Sequence, residues 1–442
     1  MSSIPDEGVV AAVAAGAGGG PARQSPAMES RARLVTGGAI VIGMMVNMPS
    51  LVGSTFSLFL KPVSQEFGWG RDVMSFAVLL SVLVTTPMYP LIGRLVDRRG
   101  VRAVALPGMV LFGASVIGMA LTTRAPIVFD LMFLVLSALA TLVSGVVFGR
   151  AVAGAFDQAR GKALGLCLGL GGGLGAAVAP LIAQALITSL GWRIAYAGLG
   201  LLPILIGFPV LMIFLKSTGP SPPAAQGVRA PEPAPGAGLL QAARSPVLWI
   251  IGALIFFSCF ANNGMLVHLG ALLTDRGTSA ATAAAMLSAI ALATSVGQIT
   301  SGFLLDRVNS PYVGAPFAAS LLAGLLLLHH GGTPAAQFSG VILFGLGIGS
   351  EYSLLPYYLT RYFGLRSFGQ LYGAMYAVAA IAGGLGPYVM GSLFESTRSY
   401  GPALTIFEVG MAIAVCCIFA LKRYVYLPGA TDRAAQAATA ST

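Results

Sequence analysis

The sequence predicts an all-α integral membrane protein whose twelve transmembrane helices form two pseudo-symmetric six-helix bundles. Three observations predict this. The 442 residues are 56% hydrophobic and only 9% charged, with mean hydropathy +0.84, against roughly 25% charged in an ordinary soluble domain. Apolar runs long enough to cross about 30 Å of hydrocarbon at 1.5 Å per residue recur along the chain. A polar stretch near the middle divides those runs six and six, and motifs recur on either side of it.

The apolar segments lie at 34–59, 72–92, 102–122, 126–149, 162–188 and 193–215, then at 246–272, 280–304, 311–330, 335–360, 367–393 and 401–421. They are continuous rather than alternating, which selects helices over barrel strands. Residues 1–30 are rich in Ala and Gly, carry Asp6 and Glu7, and lack the basic start and apolar centre of a signal peptide. They read as a disordered cytoplasmic tail. Residues 31–216 form the first bundle. Residues 217–244, with SPPAAQ and APEPAPGAG, form a flexible cytoplasmic linker. Residues 245–424 form the second bundle, and 425–442 a second cytoplasmic tail.

The net charge of +10 does not indicate nucleic acid, because the basic residues sit in short segments between apolar runs and act as topology signals. With the N-terminus inside, 19 of the 25 Lys and Arg fall on the inner side; Lys61, Arg71, Arg124, Arg193, Arg276 and Arg398 fall outside. Both termini are therefore expected in the cytoplasm. Cys167, Cys259, Cys416 and Cys417 all lie in apolar segments without disulfide or metal spacing, so they read as packing residues.

The two halves repeat one another. GRLVDRRG (Gly93 to Gly100) stands between spans 2 and 3, and GFLLDR (Gly302 to Arg307) between spans 8 and 9. Gly93, Asp97 and Arg98 map onto Gly302, Asp306 and Arg307 with an offset of 209, and Gly161, Gly165 and Gly169 map onto Gly369, Gly373 and Ala377 with an offset of 208. Ala179-Pro180 and Gly386-Pro387 follow as similar breaks. Duplication of this kind is how many transporters are built.

At these residues the chain resembles the major facilitator superfamily over nearly all its length outside the tail and linker. FGWGR (Phe67 to Arg71), ARGKALG (Ala159 to Gly165), GWRIAYAGLG (Gly191 to Gly200), HLGALLTDRG (His268 to Gly277) and the stretch from Gly349 to Gly373 look like its monocarboxylate and oxalate/formate-porter-like branch, bacterial members included. The resemblance implies two bundles rocking around a central site. It also implies that the repeated loops, with Gly93, Asp97, Arg98, Arg102, Gly302, Asp306 and Arg307, latch the cytoplasmic side in the outward-open state. Topology anchoring by the same arginines is the plainer role. Members of that branch often carry a helix-8 Arg that holds a substrate carboxylate. Here the corresponding pair is Gly297-Gln298, which keeps a neutral or aromatic cargo open beside a carboxylate.

Ionisable groups within spans are costly, at roughly 3 kcal/mol or more at a helix centre, and are functional candidates by default. Glu351 lies about sixteen residues into span 10. A carboxyl at that depth is a candidate proton-coupling or substrate site; helix packing through a hydrogen-bonded carboxyl is the competing role. Asn262, Asn263 and His268 make a polar patch in span 7, suited to substrate or to interhelical bonding. Asn47 in span 1 and Gln298 in span 8 sit at similar depth. Tyr352, Tyr372 and Tyr376 supply amphipathic rings that suit an aromatic or short-chain solute, or ordinary packing. Arg150 and Asp130 lie near span ends, where snorkelling accounts for them.

The expected function is secondary active transport of a small organic solute, a mono- or aromatic carboxylate, by proton-coupled alternating access. An exchanger or efflux facilitator for a neutral or aromatic compound is the alternative, and a transporter-like membrane sensor the alternative from another class. The expected partners are the lipid bilayer, a small-molecule substrate and protons, without nucleic acid, metal or other cofactor. A monomer in a bacterial inner membrane is expected. An ATP-driven pump lacks its G-x-x-x-x-G-K-[ST] loop, since GKA at 161–163 has neither the upstream glycine nor the Ser/Thr. An enzyme is not expected: the three histidines, at 268, 329 and 330, do not form a convincing catalytic group.

Overall fold

A computed structural model describes residues 26–155, 165–215, 236–364 and 366–425; the side chains of Asp306 and Tyr352 lie outside the described set. Among the described residues, twelve helices are long and apolar enough to cross a membrane. They are α1 (Leu34–Gly53), α2 (Arg71–Arg99), α3 (Val101–Leu121), α4 (Pro126–Val152), α5 (Gly171–Leu190), α6 (Trp192–Phe214), α7 (Pro246–Asp275), α8 (Ala280–Leu305), α9 (Pro311–His330), α10 (Pro334–Phe363), α11 (Gln370–Thr397) and α12 (Gly401–Ala420). The protein is thus a multi-pass, all-α membrane protein, as its sequence predicts. A further helix, Phe56–Phe67, continues from α1.

Local chemistry sets the ends. Ser245, Ser279 and Thr333 cap α7, α8 and α10, each side chain accepting a backbone N–H from the first turn. Proline opens α7 and α10 where no helical donor is lost. Gly100 and Gly191, at φ of 81° and 84°, are single-residue turns joining α2 to α3 and α5 to α6. Side chains other than glycine rarely adopt that region.

Three segments differ from the sequence reading. α2 runs to Arg99, so Gly93 to Arg99 form its last two turns rather than a loop. The helix of α8 likewise continues to Arg307. Hydropathy falls where a helix leaves the hydrocarbon, but Leu and Arg keep it helical until a glycine or β-favouring residue ends it. Third, the end of the linker is built: Leu239–Ala243 are helical, and Ala237 N–H bonds the Phe363 carbonyl at 2.8 Å.

The apolar side chains pack into one continuous core. Between the halves, α5 packs on α8, α2 on α11, and the helix Phe56–Phe67 on α7. Small residues permit the closest approaches. A Cβ at Gly171 or Gly175 would overlap the α1 backbone at Val41 or Met45, and one at Gly349 would overlap the α8 backbone at Thr294. Gly373, from the repeated glycine row, has nothing within 4 Å of such a Cβ. Among the described residues, Gly171, Gly175 and Gly349 carry close approaches that Gly373 does not.

Candidate functional site

The halves are tied together at the face opposite the start of α1 and the end of α12. Arg71, the first residue of α2, donates Nη2 to Asp275 Oδ2 at 2.5 Å, and its backbone N–H reaches Glu395 Oε1 at 2.8 Å. Its Nη1 also bonds the Tyr400 hydroxyl. The guanidinium lies 3.9 Å from the Phe394 ring centroid and 5.2 Å from that of Tyr400. Lys61 completes the cluster at 2.9 Å from Asp275 Oδ1. A planar guanidinium suits this setting, because it bonds carboxylates in its plane and stacks on rings with its face.

Below this clamp lies His268, fully buried in α7. Its Nε2 is 3.0 Å from both Ser75 Oγ on α2 and the Pro387 carbonyl on α11. A carbonyl can only accept, and Ser75 Oγ donates to the Arg71 carbonyl at 2.8 Å. Both neighbours therefore act as acceptors, which assigns the proton to Nε2. His268 joins the halves rather than facing an aqueous mouth. Deeper still, Gln298 Oε1 would lie 3.6 Å from a Cβ at Gly169, and Ser295 crowds Gly173, so α5 and α8 meet at mid-depth.

Glu351 occupies a different place, inside the second half. It lines a cavity of about 20 Å³ with Ser258, Ser350, Leu254 and Leu354, room for roughly one water molecule. Cys259 Sγ lies 3.8 Å from Glu351 Oε2, and the Asn262 side chain adjoins the same carboxyl. Glu351 Oε1 and Asn262 Oδ1 are buried without a protein partner. Asn263 turns away, donating to the Cys259 carbonyl at 3.0 Å and abutting Gly383 of α11.

The remaining candidates divide. Asn47 is engaged locally: its Oδ1 accepts the Ser50 N–H at 3.2 Å where α1 breaks ahead of Pro49. Phe368, Tyr372 and Tyr376 form an aromatic row along α11, with centroid spacings of 5.6 and 6.3 Å, and Tyr376 is half exposed. Tyr352 falls outside the described side chains. Asp97 is an exposed carboxylate 3.2 Å from Arg150 Nε, within its own half. Arg102 donates to the Leu215 and Met212 carbonyls at 2.8 and 2.6 Å, capping α6. Arg307 stacks on Phe303 at 3.7 Å, and Asp306 is outside the described side chains. A Cβ at Gly93 would meet nothing within 4 Å, and one at Gly302 only Ser353 Oγ at 4.0 Å. In this conformation neither glycine is needed for close helix contact.

Sequence reasoning assigned no role to the clamp. Arg71 and Asp275 stand in two of the quoted motifs, 204 residues apart, and neither motif reveals its partner. It also passed over Glu408, eight residues into α12, although a carboxylate inside an apolar span is itself the signal.

The sequence pattern described as Major Facilitator Superfamily matches residues 36–387. An uncharacterized MFS-type transporter of Bacillus subtilis (strain 168), YcxA, is 23% identical over 376 residues, covering 83% of this chain and 88% of that one. Two crystal structures share the fold. One is a bacterial homolog of the human lysosomal transporter Spinster, inward-facing and unoccupied, with TM-score 0.62, 16% identity, and coverage of 90% of this chain and 95% of that one. The other is a point mutant of the nucleoside transporter NupG, with TM-score 0.70, 12% identity, and coverage of 88% and 98%.

Proposed function

The chain belongs to the major facilitator superfamily, and on that premise we propose that it moves a small organic acid together with a proton by alternating access. Membership supports a membrane transporter of this superfamily's type and favours that over an enzyme; the cargo, the coupling and the sidedness are our reading. The observation that carries the coupling is the setting of Glu351. Its partners are the neutral side chains of Cys259 and Asn262, it borders a cavity with room for about one water, and it lies within one half rather than between the two. A carboxyl so placed can take up and release a proton without contacting the cargo, and its charge would bias the packing of α7 against α10.

The clamp around Arg71 supports alternating access, since it closes one face through charge pairs that domain rocking can break and remake. The repeated Asp-Arg motifs would latch the opposite face in the reverse state, Asp97 then leaving Arg150. In our reading that face is cytoplasmic, in a bacterial inner membrane, and the transporter works as a monomer. The resemblance to the monocarboxylate and oxalate/formate-porter-like branch favours a mono- or aromatic carboxylate, and the row of Tyr372 and Tyr376 suits an aromatic ring. Gln298 at the α5–α8 contact, where that branch carries an arginine, favours the second reading: exchange or efflux of a neutral or aromatic compound.

Uptake into proteoliposomes tests this, using mono- and aromatic carboxylates and their neutral analogues with and without an imposed pH gradient. The proposal expects the gradient to accelerate acid uptake in the parent and not in Glu351→Gln. Uptake indifferent to the gradient would leave the exchanger reading standing.

A further inference from the structure

A second polar cluster lies away from the route between the halves. His329 and His330 end α9, and Glu408 stands two turns into α12. Glu408 Oε1 is 2.9 Å from His329 Nδ1 and 3.5 Å from His330 Nε2, and one ligand atom from each of the three residues falls within 4.8 Å of the others. We propose that this His329–His330–Glu408 cluster is a binding site for a divalent transition metal of the zinc class.

The geometry argues for it. Zinc takes imidazole nitrogen and carboxylate oxygen at about 2.0–2.2 Å in a tetrahedron, which places neighbouring ligand atoms about 3.3 Å apart. The two spacings from Glu408, 2.9 and 3.5 Å, bracket that distance. Two neutral imidazoles and one carboxylate are a donor set matched to zinc rather than to calcium or magnesium, which favour oxygen alone. The Glu408 and His329 side chains are 13% and 16% exposed, while His330 at 63% leaves an access path. A water molecule would complete the tetrahedron. Arg276 donates to the Leu328 carbonyl and, at 3.4 Å, to that of His329, holding the end of α9 in place. A carboxylate in an apolar span is costly without such a purpose. Because Arg276 follows Asp275, a bound dication would fasten α9 to α12 directly beside the clamp.

The alternative is a plain hydrogen-bonded histidine–glutamate pair, and metal titration separates the two. The full chain, purified in detergent through a tag without histidine, is titrated with zinc by calorimetry, and with cobalt(II) while its visible absorption is recorded. The proposal expects one zinc per chain, a tetrahedral cobalt spectrum, and a melting temperature raised by zinc. His330→Ala, at an exposed position, should fold normally yet lose roughly 100-fold or more in affinity, since even outer-shell changes cost about 10–100-fold. Glu408→Gln should also lose the cobalt spectrum. Absence of stoichiometric zinc binding in the parent chain would overturn the proposal. So would affinity unchanged in the His330→Ala, Glu408→Gln double variant.

Discussion

Arg71 Nη2 and Asp275 Oδ2 meet at 2.5 Å across the seam between the two halves, and Lys61 takes the other oxygen of the same carboxylate. One carboxylate thus serves two cations, while Arg71 is held by two aromatic rings as well. Removing Asp275 would leave both cations unpaired, the arginine only 12% exposed. Loss of a charge-assisted bond of this kind costs about 1–3 kcal/mol, so Asp275→Asn should shift the closed face toward opening by roughly 5- to 150-fold. Ser57, buried against Gly270 at the seam, is the reporter. In a chain freed of its four cysteines, Ser57→Cys should react with an impermeant maleimide faster by that factor once Asp275 is neutralised. Equal rates would show that the clamp does not hold the face.

Glu351→Gln keeps the size of the side chain and its place beside Asn262, so its yield and melting temperature should stay close to the parent. Asn262→Leu, in contrast, leaves the carboxyl without its amide partner. We expect it to lower transport together with stability, by about 1–3 kcal/mol. Thermal unfolding in detergent, beside gradient-driven uptake, distinguishes a coupling residue from a packing residue.

Gly349→Val tests the close approach of α10 to α8. Its side chain would run into the Thr294 backbone and the Gln298 N–H, and overpacking against backbone costs about 1–3 kcal/mol. Gly93→Ala is the control, because nothing lies within 4 Å of a Cβ there. Folded yield should fall for the first and hold for the second. If Gly93→Ala folds but fails to transport, the glycine is needed in the opposite conformation.

Glu66 gives the protein a pH dependence whose sign can be worked out. Trp192 Nε1 donates to it at 2.6 Å and Arg193 at 2.5 Å. These bonds, the Trp192 one first, hold its carboxyl below the ordinary value of 4.5. A group depressed on folding contributes stability above its unfolded pKa, which is lost as pH falls through the folded value. Melting temperature should therefore drop below about pH 4.5, and Glu66→Gln should flatten that drop. The effect is small, since the pair is 42–43% exposed and screened by water.

Should the cargo bear an aromatic ring, Tyr376→Ala should raise KM by about 2- to 13-fold, one ring contact being worth about 0.5–1.5 kcal/mol, with little change in kcat. A benzoate-type acid compared with a short aliphatic acid is the measurement. Equal KM changes for both would remove the aromatic row from the binding site.

Hydropathy determined by itself that this is an all-α membrane protein with twelve candidate spans. That signal is local: a span must carry its own apolar length, because no water in the bilayer satisfies an exposed backbone. Glu351 was also legible, as a charge inside an apolar run. Partnership was not. That Asn47 serves a break in α1, that His268 bridges Ser75 and Pro387, and that Glu408 meets two histidines from another helix are facts of packing between segments far apart in sequence. Only the tertiary structure decided them, because hydropathy records how a residue meets its solvent and carries no record of which helix lies beside it. Arg71 and Asp275 mark that boundary: each reads alone as a charge at a helix end, and together they form the clamp.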